Sequence, residues 1–443
     1  MNPKVSIVGM LTSQWNHLIN ALTGNMYSFG DANFGGTEVI ENIVKNIITN
    51  GSYIADDLSQ DKQMVINDFY NVQSQLNRKL SDSHLNRLQK AIKRHSIFGF
   101  MSGLDFISKS AIADSILHSY RFVDGEWVTE DKLYAMSARI PKSNRDKWLK
   151  DKLGKYNSKE TRKKHNLYTS ISVKNGRFYI QDEAKRNAYN ENVHHEVTSR
   201  IEKIAERADG MATQTQKAAI TQSMIGSFVL IHRQYLPLMI QERFTEEVYD
   251  YDMATMKNGQ TSAMLSFCKN LMASSMLAGG VMGGVGSYIL FQSIPVGGPL
   301  LTALGAMAGA VYSAKNKNKA KPIKQVINEF FKDDSSEFAI LKSRYHKKIF
   351  KQVLLELALY NLLISPFINW VCRCADDNKD KWWLQFIALC LRQFQWEAYT
   401  PYRFDDIFNN FKTVTAATGT IDLLQSSLGG GADIFMQLIK KAL

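Results

Sequence analysis

The residues best able to do chemistry in this chain are scattered, and their spacing assembles no reaction centre. His194-His195-Glu196 lies in a charged helical stretch, where adjacent imidazoles diverge by about 100° per residue instead of forming the i, i+4 pair of a zinc protease. A surface helix is the expected setting. Gly154-Lys155 is followed by Tyr156 and lacks the first glycine of a phosphate-binding loop. No Gly-x-Ser-x-Gly elbow occurs, and the lone His232 can serve as a helix-face hydrogen-bonder. The paired carboxylates Asp56-Asp57, Asp376-Asp377 and Asp405-Asp406 read as solvated turns or helix caps. Cys268, Cys372, Cys374 and Cys390 form neither a disulfide framework nor paired zinc knuckles, which fits a reducing compartment or indifference to redox. A protein without catalytic residues, cofactor or metal is the expectation.

The elements that would position such residues are mostly helices. Val39, Ile40, Ile43, Val44, Ile47 and Ile48 recur at helical spacing and stop at Asn50-Gly51. The same logic predicts helices over Asp61–Leu76, Ser83–Ile92, Leu104–Leu117, Glu183–Asp209 and Thr213–Phe244, the last with a kink at Pro237. Val353–Cys374, interrupted by Glu356 and Pro366, reads as an ordinary core helix. Two stretches break the helical period. Asp124-Gly125 and Asn175-Gly176 each separate two apolar-aromatic runs, and an Asx-Gly pair supplies the positive φ angles of a two-residue hairpin turn. Between them Lys142–His165 is crowded with Lys and Arg and reads as a solvated helix-and-linker region. It is a poor base-selective site, because only Trp148 and Tyr156 are there to stack.

The most unusual stretch is Asn270–Ala314, 45 residues without one charged side chain. A membrane-spanning helix needs only about 20 residues, so two passes fit. Pro295, Gly297, Gly298 and Pro299 punctuate its centre as a tight reversal. Small residues recur at four-residue spacing in both arms: Gly279 with Gly283, Gly280 with Gly284, Gly305 with Gly309, and Ala306 with Ala310. Such spacing lets helix backbones approach closely, as interfaces in lipid require. Lys269 before the run and Lys315, Lys317, Lys319, Lys321 and Lys324 after it would hold both ends at anionic headgroups. The chain also carries 54 Lys and Arg against 42 Asp and Glu, a balance that favours anionic partners. The N-terminus lacks the continuous apolar run of a signal peptide.

The expected fold is mainly α: a multi-helix assembly with one or two short β-hairpins and a hydrophobic helical hairpin. Its expected regions are 1–118 (helical), 119–182 (hairpins and basic), 183–262 (long helices), 263–324 (apolar Gly/Ala hairpin) and 325–443 (helical).

Several stretches, in order, resemble the C-terminal region of the very large virion proteins of crAss-like and related Bacteroidetes tailed bacteriophages. Leu117-His-Ser-Tyr-Arg-Phe-Val-Asp-Gly-Glu-Trp-Val resembles their tyrosine-rich segment ending in an Asp-Gly hairpin, and Tyr168–Ile180 the hairpin that follows. Arg207-Ala-Asp-Gly-Met-Ala comes next. His232-Arg233 then falls where the family usually reads His-Arg-Gly-Trp, with Gln234 and Tyr235 departing from it. Leu391–Pro401 and Phe408–Leu424 resemble the closing helical pair. In the family this region ends a far longer polypeptide. The resemblance implies a virion structural or cargo protein, ejected through the tail and associating with the host membrane. It implies portal, tail or other cargo proteins as partners, an oligomer in the particle, and at most weak non-specific contact with nucleic acid. A colicin-like pore-forming protein and an accessory domain of an encapsidated polymerase are the alternatives.

Overall fold

A computed structural model of the chain describes residues 3–50, 62–70, 72, 97–174, 176–208, 245–257, 259, 260, 263, 267, 270, 280, 284, 305–312, 314, 322–331 and 336–399. Of the interpretable residues 76% are helical, and the strands pair only as short antiparallel hairpins, so the fold is mainly α. The chain divides into two compact units. One comprises 1–219, 234–270 and 322–398, the other 220–233, 271–321 and 399–443.

The first unit is organised around the buried C-terminal half of one helix. In chain order it begins with α1 (Pro3–Thr23), α2 (Phe29–Asn50), α3 (Lys62–Phe69) and α4 (Ile97–Ser119). Apolar and small residues lie on every side of α4, the composition of a helix surrounded by protein, and every residue from Ser110 to Tyr120 is buried. Ile112, Ile116 and Leu117 join Ile66, Tyr70, Trp127, Leu167, Val197 and Ile201 in the main core. The helix α2 lies very close to it at Gly35, where a Cβ would sit 2.6 Å from the Ser115 backbone nitrogen. Two polar pairs cross this core: Asn67 Nδ2 donates to Ser110 Oγ (2.7 Å) and Gln63 Nε2 to Asp114 Oδ1 (2.9 Å). The helix expected to reach Leu76 ends at Phe69, where the Val72 amide closes a wide turn on the Asn67 carbonyl (2.8 Å).

Both expected hairpins are present. β1 (Arg121–Val123) pairs with β2 (Glu126–Val128), and Asp124 (φ 50°) and Gly125 (φ 91°) supply the left-handed pair of the turn. There follow α5 (Glu130–Ser137), α6 (Lys142–Tyr156), α7 (Lys159–Lys164) and the single turn α8 (Leu167–Ser170). β3 (Ile171–Lys174) then pairs with β4 (Arg177–Ile180). After α9 (Glu183–Ala188) and α10 (Glu191–Ala208) a third hairpin appears, β5 (Val248–Asp250) with β6 (Thr255–Lys257), which the sequence did not announce. Its reversal is built by the Asp250 carboxylate, which accepts from the amides of Asp252 (3.0 Å) and Met253 (3.2 Å), with Ala254 at φ 47°.

Near the C-terminus come α11 (Ile323–Phe331), α12 (Glu337–Leu359), α13 (Ser365–Asp377) and α14 (Trp382–Tyr399). The expected core helix over Val353–Cys374 needs correction on two counts. A π turn over Tyr360–Ile364 separates α12 from α13. Pro366 lacks an N–H and crowds the preceding turn, and the widened turn is the geometry observed just before it. Moreover, only one face is buried. Ile368, Val371, Cys372 and Ala375 pack with Val8, Trp15 and Ile19 of α1, while Leu362 and Trp370 are 74% and 62% exposed.

Candidate functional site

In the second unit the described residues, Tyr399 apart, fall within the uncharged run. Gly280 and Gly284 are helical, as are 305–312 and Ala314. A Cβ on Gly280 would lie 3.6 Å from the Ala306 carbonyl oxygen and 3.9 Å from the Ala310 Cβ. Two helical segments therefore meet through small residues, at a separation larger side chains would increase. Gly284 and Gly309 are buried, whereas Met307 and Val311, one turn apart, are 66% and 53% exposed. The segment 305–312 thus has a small-residue side turned inward and a larger apolar side turned outward. Of the expected seam residues, Gly309 is buried and Gly305 half-buried. The contact observed on the first arm is at Gly280. Gly279, Gly283, Pro295, Gly297, Gly298 and Pro299, together with His232 and Arg233, lie outside the described residues. Among the described residues no helix is long and apolar enough to cross a membrane.

The first unit concentrates its charge in buried clusters. Ser28 and Asp31 form a reciprocal cap at the start of α2: Asp31 Oδ2 accepts from the Ser28 amide (3.0 Å) and hydroxyl (2.7 Å), and Ser28 Oγ accepts from the Asp31 amide (3.3 Å). Asp31 Oδ1 is bonded to Arg121 at 2.5 Å. The Arg121 guanidinium lies over the Tyr156 ring (4.1 Å) and donates to the Tyr156 carbonyl (2.9 Å). Asp131 of α5 accepts from Arg344 (2.6 Å) and Lys348 (2.8 Å) of α12. Burial alone would raise the Asp131 carboxyl's proton affinity, but these two cations hold it well below the usual carboxylate range. Asp250 is likewise held down, to about 2, against its burial by Lys257 and Lys203.

Two histidines are enclosed. His17 meets Tyr27 Oη at 2.8 Å, and burial lowers its pKa to about 4. His118 is stacked between Phe34 and Tyr168, with ring centroids 5.7 and 4.8 Å away. Neither of its ring nitrogens has a hydrogen-bond partner among the described residues, and burial, then Lys62 and Arg121, lower its pKa to about 3. Neither ring was singled out by sequence, because isolated histidines carry no spacing signal.

The other candidates disperse. His194, His195 and Glu196 point to separate neighbours: Tyr189 Oη (3.1 Å), Asp252 (3.6 Å) and Tyr120 Oη (2.8 Å). Their helix is also less superficial than expected, since Val193, Val197, Ile201 and Ile204 enter the core. Asp376 and Asp377 are exposed at the end of α13. Cys372 and Cys390 are buried thiols, and Arg392 Nε donates to Cys372 Sγ (3.2 Å). Among the described residues no three His, Cys, Asp or Glu side chains could hold a metal ion. Comparison with protein-family models, curated proteins and solved structures returns no match.

Proposed function

We propose that this chain is a non-enzymatic bacteriophage virion component, packaged beside portal, tail or other cargo proteins and ejected through the tail. In this reading its apolar helical hairpin meets the host membrane during genome delivery. The virion assignment is supported by the ordered resemblance from Leu117 to Leu424. The membrane role is supported by one observation above the rest. Within a 45-residue stretch that carries no charge, Gly280 faces Ala306 and Ala310 so closely that a Cβ placed on it would reach van der Waals contact with both. Close packing through small residues joins helices where lipid removes the hydrophobic drive for association.

The test is flotation of the full chain with anionic liposomes after mild acid treatment. The wild type is expected to float. Met307→Arg places a charge on the exposed side of 305–312, where it disturbs no packing in solution, yet it opposes insertion by about 2.5–3.5 kcal/mol. It should reduce flotation while the circular dichroism of the soluble protein stays unchanged. Gly309→Arg, which also fills the seam, should reduce it further. A wild type that never floats, or a Met307→Arg variant that floats equally well, would remove the support for membrane entry.

A further inference from the structure

The stretch 142–165 holds ten Lys or Arg against three acidic residues, so it carries +7 of the chain's formal +12. The structure turns this stretch into a shaped surface. Lys142, Lys147 and Lys150 on α6, with Lys159, Lys163 and Lys164 on α7, are all exposed, and none pairs with a carboxylate among the described residues. The backbone that carries them is firmly held. Tyr156, buried at the end of α6, donates its hydroxyl to the Ser119 carbonyl (2.7 Å). Arg145 donates to the Ser137 carbonyl at the end of α5 (3.0 Å), and Asn166 Nδ2 to the Arg162 carbonyl (2.7 Å). The cations are therefore presented by fixed helices, and less chain entropy is lost when they meet a partner.

From this arrangement we infer that α6 and α7 form a face that binds double-helical DNA through its phosphates, without regard to sequence. The distribution of apolar groups decides against a bilayer as the partner. A helix that lies in a membrane puts its aromatic and leucine side chains into the lipid. Here Leu149 and Leu153 pack inward on Val123, Val128, Leu133 and Tyr156, and Trp148 is half-buried with Lys152 5.7 Å above its ring. The outer face has charge and nothing to insert. At 15 residues, α6 is about 22 Å long, enough to span several phosphates of a duplex strand. The shortage of stacking side chains also argues against base readout, since Tyr156 is covered by Arg121. This inference draws on no part of the apolar hairpin, so failure of the flotation test leaves it standing.

The experiment measures binding of the full chain to a short labelled duplex by fluorescence anisotropy over a series of salt concentrations. The quadruple variant Lys147→Glu, Lys150→Glu, Lys159→Glu, Lys163→Glu is compared with a control of equal charge change, Lys324→Glu, Lys351→Glu, Lys379→Glu, Lys381→Glu. The wild type should bind duplexes of unrelated sequence equally, with log K falling steeply against log salt. Loss of four phosphate contacts should reduce that slope by about 3.6 and lower low-salt affinity by about a hundredfold or more. The control should stay close to the wild type. Equal losses in both variants, a flat salt dependence, or binding to phosphatidylglycerol vesicles without binding to duplex would each overturn the inference.

Discussion

Replacing His118 with Phe should make this protein more stable and less sensitive to acid. The imidazole is 4% exposed, stacked between two rings, and neither nitrogen is hydrogen-bonded to a described residue. A buried polar group left without a partner costs about 1–3 kcal/mol, and a phenyl ring of similar shape removes that cost while keeping both stacked contacts. Overpacking by the slightly larger ring opposes the gain, so a net stabilisation of about 1–2 kcal/mol at pH 7 is expected. The pH dependence is the sharper test. Above pH 6.5 His118 is neutral in both folded and unfolded chains and contributes no slope. Below it the unfolded chain takes up a proton that the folded one refuses until its pKa of about 3, so stability falls as pH falls through that window. His17 behaves the same way down to about 4. Between pH 6.5 and 4 the two rings together therefore cost up to about 2.7 kcal/mol per pH unit, and His118→Phe should halve that. Urea unfolding followed by circular dichroism at several pH values reads both effects. A variant less stable than the wild type, with the acid slope unchanged, would refute the argument.

Three further perturbations follow from the packing. Arg121→Met strips Asp31 of its buried cation and should destabilise by about 3–5 kcal/mol in urea, as broken buried pairs do. Gly35→Ala forces α2 away from the Ser115 backbone and should cost about 1–3 kcal/mol, measured as a lowered thermal midpoint. Gly125→Val puts a β-branched residue at φ 91° and should cost at least 1 kcal/mol, with faster amide exchange confined to the β1–β2 hairpin and α6.

The local elements were the legible ones. Asp124-Gly125 announces its hairpin because the turn is decided by two adjacent residues, and α2 is announced by the spacing of Val39 and its neighbours. The β5–β6 hairpin was missed because its turn depends on the Asp250 side chain capping amides two and three residues on, with no Asx-Gly pair to mark it. The exposed face of α13 was missed because apolar content alone does not reveal which side is covered. For the candidate site, four-residue spacing marked small residues in both arms, and the described contact lies at Gly280 against Ala306 and Ala310, while Gly279 and Gly283 lie outside the described residues. The buried ion pairs were illegible in principle: Asp31 and Arg121 are 90 positions apart, and nothing local marks either as a partner.

The attachment of α12 to α5 has a consequence for synthesis. Asp131 waits for Arg344 and Lys348, which follow it by 213 and 217 positions. At roughly 5–20 residues per second, a ribosome takes about 10–40 s to deliver them. During that interval the carboxylate has no cation of its own helix pair, and water must hold its charge. The contact of α12 with α5 cannot form until the last quarter of the polypeptide emerges. Stalled or shortened products ending before Lys342 would thus present an open acidic helix.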